Sequence, residues 1–334
     1  MDAGATLDDT RLMAAAIALS QRGAGRTGTN PNVGCIITSD GHVVGRGWTQ
    51  AGGRPHAEAM ALAQAGTLAR GGTAYVTLEH CAHLSERGPR CATSLIAAGM
   101  ARVLIAAGDP DPRTNGKGAA LLRDAGIRVE EGLLAMDARA AMAGYFALVT
   151  LGRPHVTLKL ALSLDGCIAM ADGSSRWITG PHARAHAHVE RARSDMILVG
   201  RGTLAADRPR LDVRLPGLED RAPVPLLLSK ADRDAPPGWL HIGAPGDIAS
   251  APLPGSRLLV EGGAETAASF LSCDLVDRLL LYRAPILIGG GKPGLRDFGL
   301  DDLAEAHGRW RLEERIMLGP DSLEVYSRIR AATP

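Results

Sequence analysis

The sequence predicts an α/β protein that is built from two domains. Segments with the pattern of buried strands alternate with helical segments, and this alternation is typical of α/β domains with a largely parallel sheet. The chain has 334 residues, and single domains usually have about 100–200 residues. The strand and helix pattern begins again after the turn-like segment 151–154. We therefore expect one domain over residues 1–147 and a second over residues 151–334.

In the first half, the sequence predicts the following helices and strands in chain order. Apolar residues at helical spacing predict a helix over 8–22, and a glycine-rich loop then leads to a strand at 33–37. Asp40-Gly41 is a two-residue turn signal, which predicts a hairpin with a strand at 42–45. The later elements are expected at these positions: helix 55–65, strand 73–78, helix 91–100 with a stop at Gly99, strand 102–106, helix 121–124 and a strand that starts at 127.

The second half opens with a strong strand pattern over 156–162. Further strands are expected at 195–199, 224–228, 258–260 and 278–284, and helices at 181–193 and 264–272. Residues 231–256 are rich in Pro, Gly and Ala, so we expect a loose connection there.

The composition argues against a protein that binds long nucleic acids. The 37 Lys+Arg nearly balance the 36 Asp+Glu, and the chain has only 3 Phe, 4 Trp and 4 Tyr. Nucleic-acid-binding proteins usually combine a basic face with aromatic platforms for stacking. We therefore expect a small-molecule partner, such as a single nucleotide-like compound, and neither a nucleic-acid nor a membrane partner.

The same composition favours a cytoplasmic protein. The N-terminus lacks the basic start of a signal peptide, and no apolar run reaches the roughly 18 residues that span a bilayer. The 5 cysteines are odd in number and widely spaced, unlike the disulfide framework of a small secreted domain.

His56, Cys81 and Cys91 are candidate ligands of a catalytic zinc ion, with Glu58 as the group that moves protons. A zinc hydrolase needs three protein ligands, an open position for water and a nearby carboxylate. On a regular helix His56 and Glu58 would point about 200° apart. Both can approach one metal site only at a helix start, which is where Pro55 places them. His-x-Glu alone is a weak signal. However, a cysteine at a strand exit and a second cysteine opening the next helix follow the order found in zinc nucleobase deaminases.

Two other histidines, His80 and His83, compete as ligand candidates, although each is better explained as a solvated loop residue. Cys35 lies in a predicted strand and is expected to be a small buried hydrophobic residue.

The first half also contains short motifs in a fixed order. They are Asn30-Pro31-Asn32-Val33-Gly34, Gly45-Arg46-Gly47-Trp48, Gly53-Arg54-Pro55-His56-Ala57-Glu58, Cys81-Ala82-His83 and Gly108-Asp109-Pro110-Asp111-Pro112. Together they resemble the deaminase half of the bifunctional deaminase–reductase family of riboflavin biosynthesis. The resemblance implies a cytidine-deaminase-like three-layer domain, a bound zinc ion, Glu58 as the catalytic residue and Asn30 as a substrate contact.

The first half departs from the family pattern at a few positions. His80 stands where the family usually has Pro, Ala82 where it has Ser, and Thr49 where it often has His. The spacing from Cys81 to Cys91 is one residue longer than is common. Loss of the proline removes a fixed φ before a ligand, so we expect a modest loosening of the site with zinc retained.

In the second half, glycines follow two predicted strands, at Gly200-Arg201-Gly202 and at Gly262-Gly263. Glycines at a helix start let backbone N–H groups approach a phosphate. Neither segment is a Gly-x-Gly-x-x-Gly fingerprint, so an ordinary Rossmann site is not supported. Each pair taken alone is better explained as a tight turn.

The second half contains further motifs in a fixed order, at Lys159–Gly166, Ser174–Gly180, Asp195–Thr203, Asp207–Arg214 and Leu258–Ala264. Together they resemble the reductase half of the same family. The resemblance implies a dihydrofolate-reductase-like α/β domain that uses NADPH. Residues that would contact NADPH are Ala161, Trp177, Thr203, Asp207, Ser229, Gly262, Gly263, Ala264, Glu265, Thr266, Ala267, Ala268 and Ser269. Residues that would hold the substrate are Lys159, Ser175, Arg191, Leu211, Arg214 and Glu261, with the arginines suited to its 5-phosphate. Arg208 stands where the family usually has an acidic residue or Asn, and either a phosphate contact or a solvent position fits it.

The resemblance covers essentially the whole chain and implies two consecutive reactions in a homo-oligomeric enzyme. The first deaminates 2,5-diamino-6-(5-phosphoribosylamino)pyrimidin-4-one, and the second reduces the ribosyl group of the product, 5-amino-6-(5-phosphoribosylamino)uracil, to a ribityl chain. Two alternatives stay open at this point. One is a deaminase that edits nucleic acid, and the other is a reductase whose first domain is an inactive zinc-binding structural or oligomerisation module.

Overall fold

The computed structural model describes residues 6–81, 90–231 and 234–330. The chain divides into two compact units, Met1–Gly152 and Arg153–Pro334. Among the described residues, every helix is too short or too polar to cross a membrane.

The first unit has a mixed sheet with helices on both faces. Its elements in chain order are α1 (Leu7–Ser20), β1 (Gly34–Ser39), β2 (His42–Trp48), α2 (Ala57–Ala65), β3 (Thr73–Leu78), α3 (Cys91–Ala97), β4 (Arg102–Ala107), α4 (Lys117–Asp124), β5 (Arg128–Glu131), α5 (Ala135–Ala141) and α6 (Ala143–Leu151). The strand order is β2-β1-β3-β4-β5. The predicted hairpin is confirmed, because β1 and β2 pair antiparallel around Asp40 and Gly41, which both have positive φ.

The expectation of a largely parallel sheet is wrong for this unit. β1 pairs antiparallel with both β2 and β3, and only β3, β4 and β5 run parallel. The hairpin turns the chain back before β3 begins, so the sheet is half antiparallel. Each of the two parallel pairs is joined through a helix, as parallel pairing requires.

Glycines in β1 and β2 let helices approach both faces of this sheet closely. A Cβ at Gly34 would lie 2.0 Å from the carbonyl oxygen of Ala16 in α1. On β2, a Cβ at Gly47 would lie 2.0 Å from the carbonyl oxygen of Ala57, the first residue of α2. The start of α2 is therefore held against β2, and this contact fixes the place from which His56 and Glu58 project.

The second unit has a longer sheet that is parallel except at one edge. Its elements are β6 (His155–Leu162), β7 (Cys167–Ala169), α7 (Pro181–Ala192), β8 (Met196–Gly200), α8 (Arg201–Asp207), β9 (Val224–Leu228), β10 (Leu240–Ile242), β11 (Arg257–Val260), α9 (Ala264–Ser272), β12 (Arg278–Arg283), β13 (Lys292–Pro293), β14 (Trp310–Leu318) and β15 (Asp321–Arg328). The strand order is β10-β9-β8-β11-β6-β12-β15-β14, and β7 pairs separately with β13. The strands from β10 to β12 run parallel, whereas β15 and β14 add an antiparallel edge.

The expected loose connection at 231–256 is only partly right, since β10 lies within it and pairs parallel with β9. The main core of this unit is formed by alternate residues of β6, such as Leu158 and Leu160, with Phe270 of α9. Because the central strands are parallel, their carboxyl ends lie along one edge of the sheet, which is where ligands bind in open α/β sheets.

Candidate active sites

The start of α2 presents His56 and Glu58 together. His56 immediately precedes the helix in an extended conformation, with φ −71° and ψ 162°, and Glu58 lies in the first turn. An extended residue does not follow the rotation of about 100° per residue inside a helix. The His56 ring is therefore able to turn towards the side of the helix that carries Glu58.

His56, Cys81 and Cys91 come together as a compact group of donor atoms. His56 Nδ1 lies 3.1 Å from Cys91 Sγ and 3.8 Å from Cys81 Sγ. The donor atoms of all three residues lie within 4.8 Å of one another. These separations fit three ligands of a tetrahedral zinc ion with bonds of about 2.0–2.3 Å, and zinc prefers sulfur and imidazole nitrogen donors. The residues present therefore fit a zinc ion.

The two cysteines have opposite pKa shifts. The hydrogen bond with Cys91 lowers the pKa of Cys81 to about 4 in spite of burial. The same hydrogen bond, together with burial, raises the pKa of Cys91. Cys91 is the first residue of α3, and its backbone N–H donates to Cys81 Sγ at 3.3 Å. A metal binds cysteine as the thiolate, and the lowered pKa of Cys81 favours that form.

Glu58 is a buried carboxylate with a histidine partner. Its Oε1 lies 2.8 Å from His80 Nδ1, and the two side chains are 5% and 0% exposed. Burial by itself raises the pKa of Glu58. The hydrogen bond from His80 and the charges of His80 and His56 lower this pKa by more than burial raises it, so that the net shift is downward. Glu58 is thus held as a carboxylate that is able to accept a proton.

A small cavity of about 240 Å³ opens onto these groups. Its lining residues are Thr29, Asn30, Pro31, Val33, Thr49, Gly53, Arg54, His56, Glu58, Leu78, Glu79, Cys81, Asp109, Asp111, Arg113, Thr114 and Tyr145. The predicted contact Asn30 is among them, and its side chain packs against Gly53, where a Cβ would lie 2.3 Å from Asn30 Nδ2. The volume suits a single heterocyclic ring.

Tyr145 also lines this cavity, although no sequence pattern predicts it. Tyr145 lies on α6 and its hydroxyl donates to Asp109 Oδ1 at 2.7 Å. Burial raises the pKa of Asp109. No motif marks Tyr145, because its contact with Asp109 depends on how α6 packs, and α6 was not predicted.

The residues that depart from the family pattern lie in different environments. The expectation that His80 is a solvated loop residue is wrong: its side chain is fully buried because it continues from β3 and packs against Glu58. Thr49 is also buried, and its hydroxyl accepts a hydrogen bond from the Val33 N–H. Cys35 is buried as expected. His83 and Ala82 lie outside the described residues.

A second and larger cavity, of about 1860 Å³, lies in the unit Arg153–Pro334. It is lined by residues at or near the carboxyl ends of parallel strands, including Ala161 of β6, Gly200 of β8, Ser229 after β9 and Glu261 after β11. The predicted contacts that line it are Lys159, Ala161, Ser175, Trp177, Arg191, Thr203, Asp207, Leu211, Arg214, Ser229, Glu261, Gly262, Gly263, Ala264, Glu265, Thr266 and Ser269. The volume is large enough for a dinucleotide and a second molecule, since drug-sized ligands occupy about 300–1,000 Å³.

Ala267 and Ala268 are not brought to this cavity. Both are buried within α9, and Ala267 belongs to the core between α9 and the sheet. The Ala267 N–H is already bonded to the Gly263 carbonyl, so it is not available to a phosphate.

Glu261, Arg191 and Lys159 form a charged group at the cavity wall. Arg191 donates to both Glu261 oxygens, at 2.8 and 2.9 Å, and to the Asp212 carbonyl at 3.0 Å. Lys159 Nζ lies 3.9 Å from Glu261 Oε2. Burial raises the pKa of Glu261, but Lys159 and Arg191 outweigh this and lower it to about 2. Arg191 thus orients Glu261, whereas Arg214 is more than half exposed and lines the cavity.

The glycines after β8 and β11 are required by the side chain of Thr266. A Cβ at Gly200 would lie 2.2 Å from Thr266 Oγ1, and a Cβ at Gly262 would lie 2.4 Å from Thr266 Cβ. Gly263 precedes α9, and a Cβ there would meet only Thr203 Oγ1 at 3.7 Å. The predicted helix start at 264 is confirmed.

Several basic residues of this cavity were not singled out from the sequence. They are Arg176, Arg184, Arg201, Arg210, Lys230, Lys292 and Arg296. Arginines are common along the whole chain, so that no single one is marked by spacing. Arg208 also lines the cavity, in a left-handed conformation with φ 43°.

Each half of the chain matches a family model. The model described as the cytidine and deoxycytidylate deaminase zinc-binding region matches residues 7–107. The model described as the RibD C-terminal domain matches residues 154–241 and 251–321. These matches confirm the predicted fold classes, a cytidine-deaminase-like domain followed by a dihydrofolate-reductase-like domain.

Relatives match over almost the full length. The riboflavin biosynthesis protein RibD of Haemophilus influenzae is 38% identical, with 96% of this chain and 97% of the relative covered. RibD of Escherichia coli is 37% identical over 94% and 98%. Among solved structures, Acinetobacter baumannii RibD has a TM-score of 0.86 at 33% identity, covering 96% of this chain and 99% of its own.

A further solved structure carries a title that names two activities. This Thermotoga maritima protein is described as a diaminohydroxyphosphoribosylaminopyrimidine deaminase/5-amino-6-(5-phosphoribosylamino)uracil reductase. It has a TM-score of 0.84 at 28% identity, covering 96% of this chain and 99% of its own. With its zinc-binding donor group in one unit and a large ligand cavity in the other, the chain belongs to the RibD family of bifunctional riboflavin-biosynthesis enzymes, which join a zinc-binding deaminase domain to an NADPH-using reductase domain.

Proposed function

We propose that residues 1–147 deaminate 2,5-diamino-6-(5-phosphoribosylamino)pyrimidin-4-one and that residues 151–334 then reduce the ribosyl group of the product with NADPH. The observation that carries the first step is the meeting of His56, Cys81 and Cys91 beside the buried carboxylate of Glu58. Support for the second step comes from the cavity of the other unit, where Lys159 and Glu261 stand together.

In the first reaction, water replaces the ring amino group, so that a C–O bond forms, a C–N bond breaks and ammonia leaves. His56, Cys81 and Cys91 would hold a zinc ion, which when bound would make a water molecule available as a nucleophile near neutral pH. Glu58 takes a proton from the attacking water and passes it to the leaving nitrogen. Asn30 orients the ring from the cavity wall.

In the second reaction, a hydride adds to carbon 1′ of the opened sugar and a proton adds to the nitrogen attached to it. NADPH supplies the hydride when it is bound. Lys159 holds a proton beside Glu261 at the cavity wall, and Arg191 keeps Glu261 in place. Arg214 and neighbouring arginines provide charge for the substrate phosphate.

We also propose that the NADPH contacts are those of the family. The cofactor phosphates would lie along the turn before α9 and the start of that helix, at Gly262, Gly263, Ala264, Glu265, Thr266 and Ser269, with Trp177, Thr203, Asp207 and Ser229 elsewhere in the same cavity. The family resemblance further supports a cytoplasmic homo-oligomer that binds small molecules and not nucleic acid. Light scattering of the purified chain measures its oligomeric state.

Replacing Glu58 with Gln tests the deaminase assignment. We expect ammonia release to fall by at least about 10²-fold, because the amide is unable to carry the proton. Zinc content and NADPH oxidation with a pre-deaminated substrate should stay at the wild-type level. Glu131→Gln is the matched control, since Glu131 is a half-exposed residue of β5 outside the cavity lining.

The result that contradicts the assignment is ammonia release by Glu58→Gln at the wild-type rate. Absence of ammonia release in the wild type as well would favour the alternative, in which the first domain is an inactive zinc-binding module and only the reductase works.

A further inference from the structure

His80 follows β3 in a segment whose backbone is anchored by neighbouring residues. The preceding residue, Glu79, accepts hydrogen bonds from the backbone N–H groups of Gly116, Gly118 and Ala119 through its carboxylate. Its own N–H donates to the Ala107 carbonyl. Gly118 packs so closely that a Cβ there would lie 2.2 Å from the His80 carbonyl oxygen. The backbone next to His80 is therefore held by β4 and by the start of α4, and this fixes the direction in which the His80 side chain leaves the backbone.

The His80 side chain meets Glu58 and not the cavity. His80 Nδ1 lies 2.8 Å from Glu58 Oε1, and the His80 side chain is fully buried. Glu58 lines the small cavity, whereas His80 is absent from the described lining residues. His80 thus contacts Glu58 without lining the cavity itself.

A hydrogen-bond donor of this kind stabilises a buried carboxylate. An unpaired charge in a dry environment is costly, and a carboxylate with no fixed donor adopts several orientations. A hydrogen bond from imidazole to one oxygen fixes the carboxylate plane and leaves the other oxygen for proton transfer. This contact accounts for a histidine at a position where the family usually has Pro, which carries no side-chain donor.

We propose that His80 is a positioning residue of the deaminase site, which orients the Glu58 carboxylate through the hydrogen bond from Nδ1 to Oε1. The inference rests on the proposed deaminase function. It assigns to His80 no contact with zinc or with the substrate.

The test compares His80→Ala with His80→Asn in the full-length chain. The Asn side-chain amide is able to donate from nearly the same position as Nδ1, whereas Ala has no donor. We expect His80→Ala to lower kcat for ammonia release by about 10- to 100-fold, the effect of losing a hydrogen bond to a charged group. KM should change by less than about 3-fold, because the substrate is not touched, and His80→Asn should recover kcat to within about 3-fold of the wild type.

Two further measurements separate positioning from a structural role. Zinc content and NADPH oxidation with a pre-deaminated substrate should match the wild type in both variants. Tyr75→Phe is the matched control, because it removes another buried hydrogen bond to a carboxylate, from the Tyr75 hydroxyl to Asp9 at 2.7 Å, in the same unit. We expect its kcat for ammonia release to stay within about 2-fold of the wild type.

A wild-type kcat in His80→Ala would overturn the inference, and so would loss of zinc in His80→Ala or failure of His80→Asn to recover kcat. These outcomes leave the deaminase function standing, because the wild type still releases ammonia. A wild type that releases no ammonia would instead contradict the proposed function, and the role of His80 with it.

Discussion

At the residue scale, Glu261 shows how a buried charge is stabilised by its neighbours. Burial raises the pKa of Glu261, but the charges of Lys159 and Arg191 lower it from an ordinary value of 4.5 to about 2. A pKa that is lower in the folded state stabilises the fold above the unfolded pKa. This stabilisation is fully present above about pH 4.5 and is lost as the pH falls towards about 2.

We therefore predict that the stability of the second unit falls between about pH 4.5 and about pH 2, and that Glu261→Gln makes this fall shallower. Urea unfolding at different pH values, followed by tryptophan fluorescence, measures this change in stability. The signal reports mainly on the second unit, which contains Trp177, Trp239 and Trp310. An identical pH dependence in the wild type and in Glu261→Gln would contradict the role of Glu261.

The residues of the zinc group could be found from sequence, whereas their supporting contacts could not. His56, Cys81 and Cys91 are marked by residue type and by their positions at element ends. The contact of His80 with Glu58 depends on backbone anchoring at the start of α4, which begins only at Lys117. Side-chain direction at a strand end is set by such distant packing, and no local pattern records it.

At the element scale, the start of α9 depends on one close contact. A Cβ at Gly262 would lie 2.4 Å from Thr266 Cβ, so that Gly262→Ala has to displace either β11 or the first turn of α9. We predict that Gly262→Ala lowers the free energy of unfolding of the second unit by about 1–3 kcal/mol, the usual cost of overpacking.

The matched variant is Gly263→Ala, where a Cβ would meet only Thr203 Oγ1 at an ordinary 3.7 Å. Gly263 has φ −74° and ψ −177°, which any residue adopts. The free energy of unfolding of the Gly263→Ala variant should therefore stay within about 0.5 kcal/mol of that of the wild type. Urea unfolding of both variants checks the pair, and equal destabilisation would show that the contact with Thr266 is not the cause.

Most elements were predictable because their patterns are local. Strand 73–78 and helix 264–272 coincide with β3 and α9. The edge hairpin of β14 and β15 was missed, because β14 is exposed along most of its length and carries charges on consecutive residues. β14 is held as a strand by its pairing with β15. This pairing does not require apolar residues at alternate positions, so the sequence of β14 lacks the usual strand pattern.

At the scale of the whole molecule, the two reactions use separate sets of residues. The candidate zinc ligands belong to Met1–Gly152, and the large cavity is lined by residues of Arg153–Pro334. We predict that removing zinc with a chelator abolishes ammonia release and leaves NADPH oxidation of a pre-deaminated substrate unchanged.

Adding zinc back should restore ammonia release, since zinc binds again to the deprotonated ligands. Measuring the zinc content, the rate of ammonia release and the rate of NADPH oxidation in the same samples checks this prediction. If chelation stopped both reactions to the same extent, the assignment of the metal to the first reaction alone would be wrong.

We conclude that this one chain carries out deamination and then reduction. The most direct measurement incubates the purified wild-type protein with 2,5-diamino-6-(5-phosphoribosylamino)pyrimidin-4-one and follows ammonia release and NADPH oxidation separately. We expect ammonia release without NADPH, and NADPH oxidation when the cofactor is then added. NADPH oxidation that requires a pre-deaminated substrate, with no ammonia released from the diamino compound, would contradict it.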